Sequence, residues 1–452
     1  MARGLRIGLA SAMALGAIQA GMPRGIAAQD TTIAFVNVSV VSMRSDAVDR
    51  GQTVLVRNGR IAAIGPQGAV DVPAAARRID GTGKFLMPGL AEMHGHTVST
   101  VASARAEIDM MFLYAANGVT TVRGMLGLPR QLALRELTNS GAIFAPTLYL
   151  AGPSFNGNTV TSPEHAALRV RYQKEQGWDL LKIHPGLSVP QYDAMAKAAS
   201  EVGIRFGGHV PAAVGFEHAL EMGQETFDHL DGILEYLDAV DKPLDRSRLP
   251  AVVRMLQDAD AAVVPTMVLW EVGVIGLGDP DTLSQFSELR YWPRADEPGV
   301  PTTDGWIQAM RNRQPANSAQ AELHAGNRRI LLKALSDGGV TILMGTDSPQ
   351  IFSVPGFSLH REMQAMARAG MSPYEILVSG TRNVGEYFQR EDSFGTIAVS
   401  KRADLILLNS NPLEDVENVA DRAGVMVRGR WMAEEAIQAE LERIAQRFGA
   451  TE

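Results

Sequence analysis

The 452-residue chain contains no cysteine. Disulfides therefore cannot stabilise it, and a metal site in it cannot use thiolates. Any metal ligands must be histidine, aspartate, glutamate or a modified side chain. The chain also has no excess of basic over acidic residues, because its formal net charge is −8. This charge argues against nucleic acid and anionic membrane surfaces as main partners. The composition, 46% hydrophobic and 20% charged, is that of a globular protein with a large core.

The N-terminus has the three parts of a signal peptide. Arg3 and Arg6 precede an apolar stretch over residues 7–20, and Ala27-Ala28 offers a cleavage site. The stretch is short and rich in Gly and Ala, so no stable membrane span is predicted. A buried first helix is the alternative. Removing residues 1–28 would delete three arginines and leave a net charge of −11. We therefore expect an exported protein, periplasmic or secreted; a homo-oligomer is left open.

Two β-rich blocks flank the chain. In the first, Asn58-Gly59 lies between two apolar runs and predicts a hairpin. The second contains apolar runs that begin at Asp404 and Gly424. We predict that residues 29–87 and 389–435 pair into one small β-sandwich domain, followed by a C-terminal helix over 436–452.

Between the blocks, short apolar strands alternate with helical segments. The alternation predicts an α/β fold, a (β/α)₈ TIM barrel over residues 88–388. Ser188, Pro190 and Gly203 delimit one helix clearly. Residues 268–339 are expected to form a loop insertion over the mouth. The eight predicted strands are 86–93, 119–125, 145–151, 179–184, 204–210, 225–230, 261–267 and 340–346.

Side chains suited to metal binding occur at the ends of these strands. His94 and His96 lie on one face of the first strand, where two imidazoles can share a metal. In a barrel, side chains at the C-terminal strand ends converge on one site. Singly, each has an ordinary alternative: Lys182 on the surface, His229 in the core, Asp347 as a helix cap. The set in chain order is His94, His96, Lys182, His209, His229 and Asp347.

Several motifs accompany this set. They are PGLxxxHxH from Pro88, Lys182-Ile, Gly345-Thr-Asp, the segment 356–363 and the block 395–407. With them, residues 32–435 resemble the amidohydrolase superfamily, specifically its binuclear members with a carboxylated lysine. The chain is most similar to the group of imidazolonepropionase-like proteins, metal-dependent prolidases and ochratoxin-hydrolysing amidohydrolases.

The resemblance implies a role for each ligand. His94, His96 and Asp347 would hold a buried metal ion, and His209 and His229 a second, more exposed one. Lys182, carboxylated by carbon dioxide, would bridge both together with a hydroxide. An unmodified ammonium beside two dications would be repelled, whereas a carbamate supplies two anionic oxygens. Zinc suits these ligands, as do manganese and cobalt. Asp347 would accept the hydroxide proton and pass it to the leaving nitrogen.

The resemblance also implies the substrate, a small N-acyl amino acid or dipeptide whose amide bond is cleaved. Its carboxylate would need a cation, for which Arg123, Arg290 and Arg294 are candidates. Arg123 has a structural ion pair as its alternative. Tyr291, with its neighbour Trp292, could wall an aromatic pocket. His184 shares a face with Lys182 and lies nearer the mouth, where it contacts substrate or shapes the site.

Two other functions compete with this hypothesis. Hydrolysis of a cyclic amide or a lactone would use the same two metals. A non-catalytic scaffold would keep the fold alone, but it would have no need of Asp347 as a proton shuttle.

Overall fold

The computed structural model describes residues 32–97, 102–312 and 317–449. The predicted signal peptide, residues 1–28, lies outside them. Among the helices of the described part, none is long and apolar enough to cross a membrane.

The strands, numbered along the chain, are short. They are β1 Ile33–Val40, β2 Asp49–Arg57, β3 Arg60–Pro66, β4 Arg77–Asp80, β5 Phe85–Pro88, β6 Leu90–Gly95, β7 Val119–Gly124, β8 Thr147–Leu150, β9 Leu180–Ile183, β10 Arg205–Gly208, β11 Thr226–Asp228, β12 Ala262–Val264, β13 Leu405–Leu408, β14 Arg422–Val427 and β15 Arg430–Ala433.

Helices follow most strands of the central region. They are α1 Ala104–Ala116, α2 Gln131–Asn139, α3 Pro163–Glu175, α4 Val189–Val202, α5 Phe216–Glu221, α6 Ile233–Tyr236, α7 Leu249–Asp258, α8 Pro280–Leu283, α9 Thr303–Arg311, α10 Ser318–Asp337, α11 Phe357–Arg368, α12 Pro373–Ser379, α13 Arg382–Tyr387 and α14 Glu434–Arg447. Short 3₁₀ helices cover Arg246–Arg248, Ser287–Tyr291 and Val416–Ala420, and a π-helix covers Leu269–Val274.

Both ends of the chain contribute to one eight-stranded sheet. Its order is β15-β14-β13-β5-β1-β2-β3, with β4 also paired to β1. The β2–β3 hairpin turns at Asn58 and Gly59, whose positive φ angles of 51° and 74° suit a tight turn, so that prediction is confirmed. Antiparallel pairing of β13 with β5 joins the two ends. These described strands form a single sheet, so the predicted sandwich of two sheets is not confirmed.

The central region has a TIM-barrel-like α/β arrangement of parallel strands. One sheet contains β6-β7-β8 and another β9 to β12, and isolated bridges from Ala151 to Leu180 and from Phe155 to Ile183 connect them. On the other side, Ile342 bridges to Val263 and the Met93 amide donates to the Met344 carbonyl (2.9 Å). In the described residues, regular strand pairing therefore does not close the barrel.

Two strand predictions need correction. The predicted strand 86–93 divides at Gly89, because 85–88 join the end sheet and 90–95 begin the barrel. A Cβ at Gly89 would lie 2.2 Å from the Thr120 hydroxyl, so only glycine fits this transfer point. The predicted eighth strand, 340–346, is an irregular extended segment that ends in a left-handed residue, Asp347 (φ 64°).

The insertion over 268–339 is mainly helical, which corrects the loop prediction. It contains the π-helix, α8, a 3₁₀ turn, α9 and the 20-residue α10. Asn317 accepts hydrogen bonds from the first amides of α10 and caps it. The predicted helix after Ser188 is confirmed as α4, where Gln191 accepts from the Ser188 amide (3.0 Å) and Gly203 ends the helix in a left-handed conformation.

Candidate metal centre

The six predicted ligands lie around one cavity of about 470 Å³. His94 is in β6 and Lys182 in β9, and both are fully buried. His96, His209 and His229 follow the ends of β6, β10 and β11, as expected for residues at the C-terminal face of parallel strands. Asp347 follows the irregular extended segment 340–346. The described residues lining the cavity are His94, His96, Leu126, Lys182, His184, His209, His229, Leu269, Trp270, Val274, Asp347 and Gln350.

Their polar atoms are close to one another. The Lys182 Nζ lies 2.9 Å from His94 Nε2, and His96 Nε2 lies 2.5 Å from Asp347 Oδ1. His229 Nε2 lies 3.7 Å from Asp347 Oδ2. One ligand atom from each of His94, His229 and Asp347 falls within 4.8 Å of the other two, which is the spacing of a metal-binding group.

Three histidines are oriented by groups outside the cavity. Nδ1 of His94 lies 2.7 Å from a carboxylate oxygen of Asp228, and Nδ1 of His209 lies 2.6 Å from Asp231. The Nδ1 of His229 is bonded to the Thr266 hydroxyl (2.8 Å). Each contact leaves Nε2 turned to the cavity, the usual arrangement of metal-binding histidines. These partners were not predicted from the sequence. The available signal was the position of two carboxylates near His229: Asp228 directly before it and Asp231 two residues after it.

The protonation states suit metal binding. Burial, and then the charge of Lys182, lowers the pKa of His94 well below its usual value, and burial lowers that of His229 likewise. Both rings are therefore neutral and offer a lone pair. The buried His229 Nε2 has no hydrogen-bond partner among the described residues, and neither has His96 Nδ1. Nitrogen and oxygen donors of this kind fit a divalent metal ion.

The backbone around the ligands is strained. His229 (φ 65°), Leu230 (φ 58°), Thr266 (φ 44°) and Asp347 (φ 64°) adopt the left-handed conformation that non-glycine residues seldom use. Such residues concentrate at functional sites, where the surrounding structure holds them in place. Two of these four residues, His229 and Asp347, line the cavity.

Buried Glu92, in β6, connects this strand to the irregular segment 340–346. Its Oε1 accepts from the His94 amide (2.9 Å) and the Thr346 amide (2.8 Å), and Oε2 accepts from the Thr346 hydroxyl (2.5 Å). Burial raises the pKa of Glu92 to about 7 against these hydrogen bonds. Gln350 donates to Asp347 Oδ1 (2.5 Å). Asp347 is thus positioned from both sides by residues that the sequence patterns did not single out.

The amidohydrolase family pattern matches residues 85–432. This chain belongs to the amidohydrolase family. Membership agrees with the ligand set at the cavity and confirms the prediction of a hydrolytic enzyme of the amidohydrolase superfamily.

Known proteins resemble this amidohydrolase at low identity. Adenine deaminase 3 of Rhizobium meliloti (strain 1021) is 22% identical over 409 residues, which are 88% of this chain but only 57% of that protein. The solved structure of bottromycin amidohydrolase has a TM-score of 0.71 and 20% identity, covering 92% of this chain and 91% of that one. A Xaa-Pro dipeptidase with bound methionine has a TM-score of 0.67 and 19% identity, covering 89% and 100%. The two structural likenesses establish the fold.

Arg123 does not reach the mouth of the amidohydrolase cavity. Its side chain is fully buried, and Nη2 lies 3.1 Å from Asp228, itself fully buried. Nε donates to the Met93 carbonyl (2.6 Å) and Nη1 to the Thr226 hydroxyl (3.0 Å). Of the two roles considered for Arg123, the structure shows the structural ion pair and not a contact with a substrate carboxylate, because the guanidinium is buried and paired.

The predicted residues of the insertion also lie away from the cavity. Tyr291 stacks on Phe357 with ring centroids 5.4 Å apart. Arg294, whose side chain is 84% exposed, lies 3.5 Å from Asp304 and lines a separate surface cleft. Arg290 pairs with Glu442 (2.7 Å). No arginine lines the metal cavity among the described residues, which corrects the predicted roles of Tyr291, Arg290 and Arg294 there.

His184 lies at the mouth. It is half-buried, its ring centroid is 5.0 Å from that of His209, and its Nδ1 has no partner in the described part of the chain. The insertion reaches the cavity instead through the π-helix, by Leu269, Trp270 and Val274. Irregular helices of this type are frequent at functional sites.

Proposed function

We propose that this amidohydrolase holds two divalent metal ions and cleaves the amide bond of a small N-acyl amino acid or dipeptide. The observation that carries the proposal is Lys182. Its amine is fully buried 2.9 Å from His94 Nε2, and burial lowers its pKa to about 8. A neutral amine can react with carbon dioxide, and the carbamate formed offers two oxygens to neighbouring metals.

In the proposed site, His94, His96 and Asp347 would hold one ion and His209 and His229 the other, and Lys182 as a carbamate would supply oxygen ligands to both. Zinc is the first choice, with manganese and cobalt also compatible with these ligands. When bound, such ions lower the pKa of water and polarise a carbonyl group.

Asp347 is the proposed catalytic residue. Its carboxylate faces His96 (2.5 Å) and His229 (3.7 Å) and is nearly buried. Here it would take a proton from the attacking water and return it to the leaving nitrogen, which must be protonated to depart. Gln350, bonded to Asp347 Oδ1, would hold the carboxylate during both transfers.

The name of the Xaa-Pro dipeptidase supports a peptide-like substrate, and the name of adenine deaminase 3 suggests removal of an amine from a purine. The buried Lys182 favours the peptide-like substrate, because a deaminase with one metal ion has no use for a bridging carbamate. Cyclic amides and lactones are the alternative substrates for the same metals.

Substrate turnover tests the proposal. The purified protein, loaded with zinc in bicarbonate buffer, would be incubated with Xaa-Pro dipeptides, N-acyl amino acids, ochratoxin A and adenine, and products followed by mass spectrometry. We expect release of a free amino acid, abolished in Asp347→Asn and unchanged in Asp258→Asn, whose exposed carboxylate ends α7. Metal analysis should give two ions per chain.

Two results would contradict this function. Full activity of Lys182→Ala would show that the reaction does not need the proposed carbamate. Release of ammonia from adenine, with no other substrate cleaved, would indicate a deaminase. Turnover of cyclic amides or lactones without any linear amide would move the assignment to the alternative.

We further propose that the full chain is exported, on the strength of the Arg3 and Arg6 start, the apolar stretch and Ala27-Ala28. Cell fractionation of the C-terminally tagged chain tests this: the mature form should begin near Gln29 and lie outside the cytoplasm. An intact N-terminus in the cytoplasmic fraction would refute it.

A further inference from the structure

A second cleft adjoins the metal cavity on the other side of Trp270. It has a volume of about 660 Å³ and lies between the segment after β10 with α5 on one side and α6 on the other. Trp270 lines both spaces, and Asp231, which orients His209, lies at their junction. A group bound in this cleft would therefore be adjacent to the site of hydrolysis.

The cleft has a rigid aromatic wall. Phe216 is buried and packs edge-to-face on Phe227 (5.2 Å between centroids), and Tyr236 lies 5.5 Å from Phe216. Gly232 (φ 77°) lets α6 begin close to the opposite side, since a Cβ there would lie 2.8 Å from Val210. Aromatic rings fixed in this way offer a preformed apolar surface.

Trp270 is fixed in the same way. The guanidinium of Arg328 lies 4.4 Å from its ring centroid, and Arg328 donates to the carbonyls of His229 (2.8 Å) and Pro265 (3.0 Å). Because Arg328 is fully buried, this cation–π contact is sheltered from water. The Trp270 ring is thereby held in a defined position relative to His229.

The charges of the cleft decide which part of a substrate can enter. Glu217, Glu221 and Glu235 are exposed along the cleft, and Asp231 is half-buried. His218, the basic residue among those lining it, lies 2.7 Å from Asp193 outside the cleft. A carboxylate would be repelled here, whereas an uncharged apolar group would gain burial.

We propose that this cleft binds a bulky, uncharged apolar acyl group of the substrate, with Trp270 as the residue that determines acyl specificity. The inference rests on the proposed function, because it names the acyl side of the same substrate.

The experiment compares acetyl-, benzoyl- and 2-naphthoylglycine as substrates of the zinc-loaded full chain. We expect kcat/KM to rise at least about 100-fold from acetyl to naphthoyl, since a well-fitting apolar group discriminates strongly. Ala212→Trp places a large ring in the cleft, and Ala213→Trp is its matched control: both alanines are exposed in one turn, but only Ala212 lines the cleft. Ala212→Trp should lower this ratio at least about tenfold, and Ala213→Trp should preserve it.

Binding gives a second measurement that does not depend on turnover. Calorimetric titration of 2-naphthoylglycine into Asp347→Asn should show binding that Trp270→Ala or Ala212→Trp weakens at least about tenfold and Ala213→Trp does not. Equal effects of Ala212→Trp and Ala213→Trp, or a kcat/KM that does not depend on the size of the acyl group, would overturn the inference. If the wild type hydrolyses neither these three compounds nor the dipeptides and N-acyl amino acids named above, the proposed function fails. Binding that is weakened in Trp270→Ala and Ala212→Trp but kept in Ala213→Trp would then still support the cleft.

Discussion

Replacing Arg123 with methionine distinguishes its two expected roles. Methionine keeps an apolar chain of similar length but removes every donor. Asp228 would then keep a fully buried carboxylate without the two hydrogen bonds it receives at 3.1 and 3.2 Å. Burial works to raise the pKa of Asp228, yet Arg123 and Lys182 together hold it below its usual value. The variant therefore leaves a buried charge largely uncompensated.

Breaking one side of a buried ion pair costs about 3–5 kcal/mol. Since a folded protein is stable by only about 5–15 kcal/mol, the loss should be large enough to measure directly. Urea unfolding of the metal-free protein, followed by circular dichroism, should show a markedly lower midpoint for Arg123→Met. The KM of the remaining folded enzyme for an N-acyl amino acid should be unchanged.

The matched control is Arg294→Met. The Arg294 side chain is 84% exposed and lies 3.5 Å from Asp304. A pair of this kind contributes little, so the stability should change by less than about 0.5 kcal/mol. The structural role of Arg123 would be refuted if Arg123→Met unfolded like the wild type while its KM rose tenfold for a carboxylate substrate and stayed constant for the uncharged amide.

Three further predictions concern the site and the core. Burial lowers the pKa of Lys182 to about 8 from 10.5, so its charge costs the folded state about 3 kcal/mol below pH 8, and this cost disappears as the pH rises to 10.5. In urea unfolding without metal, Lys182→Met should be more stable than the wild type at pH 7 but not at pH 10.5. When metal is added, the variant should bind fewer than two ions per chain. A gain in stability that does not depend on pH would contradict this. Burial, with Arg422, lowers the pKa of His360 to about 3, so between pH 6.5 and 3 the unfolded state binds the extra proton. Acidification should then destabilise the wild type by up to about 1.4 kcal/mol per pH unit more than His360→Leu. Equal slopes of unfolding free energy against pH in the two proteins would refute this role of His360. Asp231→Asn should weaken metal affinity about 10–100-fold in a chelator competition, because Asp231 orients His209; unchanged affinity would argue against that role.

The cluster of candidate ligands could be predicted because each residue has a local signal. His94 and His96 lie at the end of an apolar strand, and Asp347 follows another apolar segment, so their order along the chain is enough to bring them together in a barrel. Lys182 is conspicuous because lysine is rare in an apolar strand. For such residues the topology alone decides proximity, and it could be inferred from strand–helix alternation.

The residues that orient the ligands could not be predicted in this way. Asp228 and Asp231 resemble any other acidic residue in the sequence, and only the structure shows that Asp228 lies against His94 and Asp231 against His209. The errors at Tyr291 and Arg294 have the same origin. The 72 residues from 268 to 339 contain no strand pattern to indicate which segment reaches the site, and the structure assigns that place to the π-helix and Trp270.

The irregular eighth segment and the metal cavity have one physical cause. A regular strand after residue 343 would pair its amides with the neighbouring strand, but the Thr346 amide donates instead to the buried Glu92 carboxylate (2.8 Å). The Asp347 amide then donates to the His94 carbonyl (2.7 Å), which requires the left-handed turn at Asp347. The side chain of Glu92 thus replaces a backbone acceptor, and this exchange releases the chain from the strand geometry. Without it, Asp347 would continue the alternation of a strand and could not approach both His96 and His229. The loss of regular pairing at this edge is therefore the structural condition for the ligand cluster, and Glu92 is the residue that supplies it.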